Sequence, residues 1–323
     1  MRPLVSLFAV LILASPAMSA DAETGAAPAL PEVTVLSPRP PTPEEIAGDA
    51  VSSFVRKHAV PSAVTGQLAR WGGGVGRGVG ICPITIGLSP KFNDFVSARV
   101  RAVAVSVGAP VQAEDRCTRR NVYIIFATDP EKTLEDVAKR DSRLLGFHYP
   151  KQARDLASVD RPVQGWYVTA TRGVHGDESI DEPYPLLPLD TGILAQGKHP
   201  AGLPGSRLSS SLSSAIVNVV IVVDANKIVD RPIGAIADYV AVLTLTQPVA
   251  SDRCGTLPSI MDLMLPNCGE KEALAGVTAG DLAFLRALYQ GDLEGVIALE
   301  RSTIIDSMTR QFRTADRASG SSR

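Results

Sequence analysis

Ile216-Val217-Asn218-Val219-Val220-Ile221-Val222-Val223, followed closely by Ile236-Ala237-Asp238-Tyr239-Val240-Ala241, decides the fold class of this 323-residue chain. The first segment is a near-continuous run of β-branched side chains, the pattern of a strand buried on both faces. The second belongs to a stretch from about Ile233 to Thr246 that is apolar on nearly every side, which predicts a core helix.

A strand buried on both faces needs strands beside it and helices above and below it. Upstream, Ile81 to Leu88 reads as a strand, and Ser89-Pro90 opens a helix running to about Val107. Phe92, Phe95, Val96, Val100, Val103 and Ala104 fall at helical spacing along it. Asn121 to Ala127 predicts a further strand, and Thr133 to Arg140 a short helix capped by Thr133, with Asp136 as capping-box partner. Gln164 to Thr171, carrying Trp166 and Tyr167, reads as another strand. Gly173 to Pro204 is Gly/Pro-rich and irregular. Helices are predicted over about Ala279 to Gln290 and about Leu293 to Phe312. Mixed strands and helices, with the helices collected late, predict an α+β domain with a mixed sheet and a mainly helical C-terminal part.

The N-terminus predicts export. Arg2, an apolar run from Leu4 to Ala14 and the small-residue exit Ala17-Met18-Ser19-Ala20 are the three parts of a cleavable signal. The run is about half the roughly 20 residues a membrane span needs. Residues 21–60 form a Pro-rich linker with a short helix after Pro43, residues 61–300 the α+β domain, and 301–323 the helix end and a polar tail. A net charge of −2 without a basic patch argues against nucleic acid as a partner. An exported chain with four cysteines implies two disulfides. Three pairings are possible; the spacing favours Cys82–Cys117 and Cys254–Cys268. A zinc site from these cysteines is disfavoured, because they form no C-x-x-C pair and have no nearby histidine.

From Ile216 to Tyr289 the order is buried strand, apolar helix, cysteine-bounded loop, Ser259-Ile260-Met261, then Val277-Thr278-Ala279-Gly280-Asp281 leading into Leu285-Arg286-Ala287-Leu288-Tyr289. This resembles the second half of zincin-type metalloproteases, particularly the matrixin-like ones. There an H-E-x-x-H helix is followed by a Ser-Ile-Met turn under the metal and a helix of Leu-Tyr type. The resemblance implies a zincin-like α+β fold, with one departure: Ala237 and Ala241 stand at the two histidine positions and Asp238 at the general-base position. Zinc catalysis needs two imidazoles on one helical face and a third ligand. Ala237, Asp238, Ala241 and Met261 would then form a pseudo-active site, with no metal and no cofactor. The implied function is a non-catalytic exported domain, periplasmic or secreted, that binds a peptide, a protein or a cell-envelope component. Gln164 to Thr171 is the candidate edge strand for an extended peptide.

Read without the resemblance, the same residues are ordinary core. Asp238 would then serve the helix dipole, and Thr278 with Asp281 a capping box. The competing function is an exported hydrolase using His175 with Asp177 or Asp238. His58, His148, His175 and His199 show no ligand spacing, and each is expected at the surface or in a loop. Ser206 and Ser209-Ser210-Ser211 lack a G-x-S-x-G elbow. The pairs Asp177/Glu178 and Asp181/Glu182 would suit a glycosidase only if held across a cleft. The run from Gly72 to Gly80 lacks phosphate-loop spacing.

Overall fold

The computed structural model describes residues 49–62, 65–72, 80–146, 158–173, 178–181, 212–248, 253–255, 257–265, 268, 275–291, 293 and 295–320. The signal segment and residues 21–48 of the linker therefore lie outside the described residues, as do His148, His175, Asp177, His199 and the serine run, while the rest of the 21–60 segment carries a helix over Ala50–His58.

Strand β6 (Ser213–Asp224) is the axis of the sheet, and every residue from Ser214 to Asp224 except Asn218 is buried. Along one side of it β3 (Val122–Ala127) runs parallel opposite Val219 to Asp224, and β1 (Ala69–Trp71) runs parallel opposite Ser214 to Ile216. Along the other side β4 (Val163–Arg172) runs antiparallel over nearly its whole length. Strand β2 (Pro83–Ile86) extends the sheet beyond β3, and β5 (Glu178–Ile180) pairs with the end of β4. The order is β2-β3-β6-β4-β5, a mixed sheet. The continuous apolar run of β6 is explained by this position, since a central strand meets helices on both faces.

Helices α2 (Pro90–Ser106) and α4 (Ile233–Leu245) pack together over one face of the sheet. On the other face α3 (Pro130–Asp141) and the turn Ser142–Leu145 cover Trp166, Val220 and Val222 with Leu134 and Leu145. Helix α3 starts three residues before the expected Thr133. Asp129 is its cap, accepting from Lys132 N at 3.1 Å, and Pro130 takes the first helical position, where a missing N–H has no cost. In α2 the expected apolar stripe is buried except for Phe92, which lies in the first turn and is exposed.

Helix α4 carries no basic residue in its last turn, so its terminal carbonyls need other donors. Three aromatic side chains supply them. Tyr167 Oη donates to Leu243 O at 2.8 Å, Trp71 Nε1 to Thr244 O at 2.7 Å and Tyr289 Oη to Leu245 O at 2.7 Å. Strand β1, strand β4 and the following helix are thereby tied to one helix end.

Helix α5 (Ala279–Gln290) packs on α6 (Ile297–Gly320), which also receives α1 (Ala50–His58). Helix α6 begins later and ends later than expected. Ile304, Met308 and Phe312 form its buried stripe, and the polar residues beyond Phe312 continue the helix because no breaker intervenes before Gly320. His58, expected at the surface, is buried: it falls on the same face of α1 as Val51, Phe54 and Val55. Cys82 bonds Cys117, and Cys254 bonds Cys268, the favoured pairing. Two disulfides fit an oxidising extracellular or periplasmic setting. No described helix is long and apolar enough to cross a membrane.

Candidate functional site: the α4 clamp and the β4 edge

Alanine, aspartate and alanine at 237, 238 and 241 follow from the burial of α4. Ala237 and Ala241 have no exposed surface, so side-chain volume there is limited to a methyl. An imidazole at either position would overpack the core, and alanine offers no lone pair. These residues do not fit a metal ion. Among the described residues no group of three or more His, Cys, Asp or Glu side chains converges to hold one.

Asp238 is buried, with 1 % of its surface exposed, and it is fully engaged. Arg99 of α2 approaches it with both ends of its guanidinium fork: Nε donates to Oδ1 and Nη2 to Oδ2, the latter at 2.9 Å. Val277 N donates to Oδ2 at 3.0 Å. Arg99 reaches Asp238 because it follows Val96 by three residues and precedes Val103 by four, on the face of α2 turned to α4. Gly276 completes the arrangement, since a Cβ there would lie 2.6 Å from Asp238 Oδ2. Asp238 is the sixth residue of its helix, beyond the first turn where the helix dipole acts, so the guanidinium and not the helix end balances its charge.

The Ser259-Ile260-Met261 stretch packs as a short turn against α4. Asp281, at the third position of α5, binds it. Ser259 Oγ donates to Asp281 Oδ1 at 2.6 Å, while Ile260 N and Thr278 N donate to Oδ2 at 2.8 and 2.9 Å. The expected capping box of Thr278 and Asp281 is present and also fixes the turn. Burial nevertheless raises the Asp281 carboxyl above the ordinary range, the donors only partly opposing it. Met261 is half-buried. Met261 and the alanines are thus set in one packed region by two buried carboxylates.

The described members of the two candidate carboxylate pairs are also taken. Glu178 accepts from Arg172 Nε at 2.6 Å, and Asp181 accepts from Thr169 Oγ1 and Thr171 Oγ1 at 2.5 and 2.7 Å. These contacts staple β5 to β4 instead of facing a cleft. Asp177 and Glu182 lie outside the described residues.

Among the described residues, the near half of β4 has a strand on one side alone. Asp224 N donates to Pro162 O, so Pro162, and by alternation Gln164 and Trp166, turn their backbone groups toward β6. Val163, Gly165 and Tyr167 therefore turn theirs the other way. Among the described residues, no strand pairs with them on that side; β5 covers only Ala170 to Arg172. Comparison with family models, with curated proteins and with solved structures finds no match for this chain.

Proposed function

We propose that this is an exported, non-catalytic domain of zincin-like type that binds an extended segment of a peptide or envelope protein by strand addition to β4. The observation that carries the reading is the outward-turned backbone of Val163, Gly165 and Tyr167, an edge long enough for several ladder hydrogen bonds. The zincin likeness is supported by the order of the parts: β6 leads into α4, the Ser-Ile-Met turn packs on α4, and α5 follows. Closure of the core over Ala237 and Ala241 moves binding away from the helix that would have held zinc and onto the strand edge.

Two measurements test this. Elemental analysis of the purified chain is expected to give zinc well below stoichiometric, with no cleavage of a generic protein substrate; stoichiometric zinc sinks the pseudoenzyme reading. Immobilised protein is expected to retain peptides from a protease-digested envelope fraction. Adding those peptides should slow amide exchange at Val163, Gly165 and Tyr167. Retention with protection elsewhere, or no retention, rejects the strand-addition site.

A further inference from the structure

His58 ends α1 with its ring in a cluster with two aromatic neighbours, the centroids 4.4 Å from Phe54 and 6.3 Å from Phe284 of α5. The residue is 7 % exposed, and its Nε2 is buried without a hydrogen-bond partner. An imidazole so placed has given up water without replacing it, and among the described residues no carboxylate pairs with it as a counter-ion. The charged groups on the elements around it are committed. Lys57, its neighbour on α1, is held by Asp262 at 2.8 Å and donates to Arg253 O. Arg301 of α6 donates through Nε and Nη2 to Ala59 O, and Glu300 of α6 accepts from Leu68 N. Of these carboxylates, Asp262 already carries the Lys57 ammonium.

Helix α1 is not part of the sheet. It docks on α6 and the Ile260–Asp262 turn through Val51, Phe54 and Val55, the Lys57–Asp262 pair and the Arg301–Ala59 contact. We infer that α1 is an acid-released latch: protonation of His58 undocks α1 from α5 and α6 while the sheet with α2 and α4 stays folded. Such a device suits an exported protein, whose surroundings are not buffered by the cytosol.

Burial, reinforced by the Lys57 charge, pushes the docked imidazole down from 6.5 to about 3. The undocked imidazole titrates at its ordinary 6.5, so the undocked state binds the proton first. Docking is therefore unaffected above that pH. Below it the ratio of undocked to docked α1 rises about tenfold per pH unit, down to about pH 3.

Amide hydrogen exchange of the full chain, corrected for intrinsic rates, reads this directly. Between pH 6.5 and 4.5 the protection of Ala59 N and the α1 amides is expected to fall about fiftyfold. The α1 amides should also open more readily than those of β6 at every pH. His58→Phe, which keeps the aromatic packing, should remove that pH dependence; His58→Leu provides the same comparison should the first variant pack badly. An unchanged slope in both variants, or α1 and β6 amides exchanging together, overturns the latch.

Discussion

Replacing Arg99 with alanine is expected to destabilise the fold by about 3–5 kcal/mol, because it leaves the Asp238 carboxylate buried with a single backbone donor. Asp238→Ala should have a comparable effect, taking the carboxylate away from the Arg99 guanidinium and leaving Val277 N unpaired. The pair joins α2 to α4 and, through Val277, to the start of α5, so its loss loosens three elements together. Replacing both partners with apolar residues of similar size, Arg99→Met with Asp238→Leu, should recover most of the loss, since neither buried charge then remains. The coupling from this double-mutant cycle is expected to be several kcal/mol. Urea unfolding followed by the fluorescence of the buried Trp71 and Trp166 measures it. A loss below about 1 kcal/mol for Arg99→Ala would show that Asp238 does not depend on the pair. It would then return as a candidate general base.

The strands and the core helices were legible because their signals are local and strong. Ile233 to Leu245 matches the reading of the sequence almost to the residue, and the strand read at Ile216 to Val223 is present and begins three residues earlier, as an apolar run of that density has few other solutions. The start of α3 was misread because Thr133 offered a plausible box, while Asp129-Pro130 made a better start three residues earlier. The disulfide pairing followed from spacing. The parallel pairing of β1 beside the start of β6 did not, since three residues carry no periodicity.

The site was less legible, for a physical reason. Sequence spacing finds residues that share an element, and the contacts that matter here join different ones. Asp238 was picked out by its position on α4, yet its partner Arg99 lies 139 residues earlier, on α2. Only the i, i+3 and i+4 apolar stripe of α2 hinted that Arg99 faces the core. His58 was misassigned because one polar residue at the end of a short helix looks solvated; Phe284, which covers it, is far away in the chain. The aromatic donors to the end of α4 were equally hidden, although the absence of a basic residue in its last turn could have prompted the search.

Asp281→Ala is expected to match the Arg99 variant, at about 3–5 kcal/mol, because it releases several donors instead of one. Ser259 Oγ, Ile260 N and Thr278 N all end on this carboxylate, and each donor left buried without an acceptor costs about 1–3 kcal/mol, offset where water enters. The N-terminal capping of α5 goes with it, about 1 kcal/mol more. Asp281→Asn separates the acceptor from the charge. Its carbonyl can still accept from Ile260 N and Thr278 N, while the Ser259 hydroxyl rotates to accept from the amide, so the loss should be roughly 1 kcal/mol. The pH dependence has a definite sign. Burial raises the Asp281 carboxyl in the folded state, so its contribution is greatest below the ordinary carboxylate range and is lost as pH rises through the raised value. Asparagine lacks that titration. The gap between wild type and Asp281→Asn should therefore be wider in acid than at neutral pH, in unfolding curves taken at both. A gap that narrows in acid would mean that the ionised form is the one the fold prefers. The Ser-Ile-Met turn would then be held by the charge itself and not by the geometry of its acceptors.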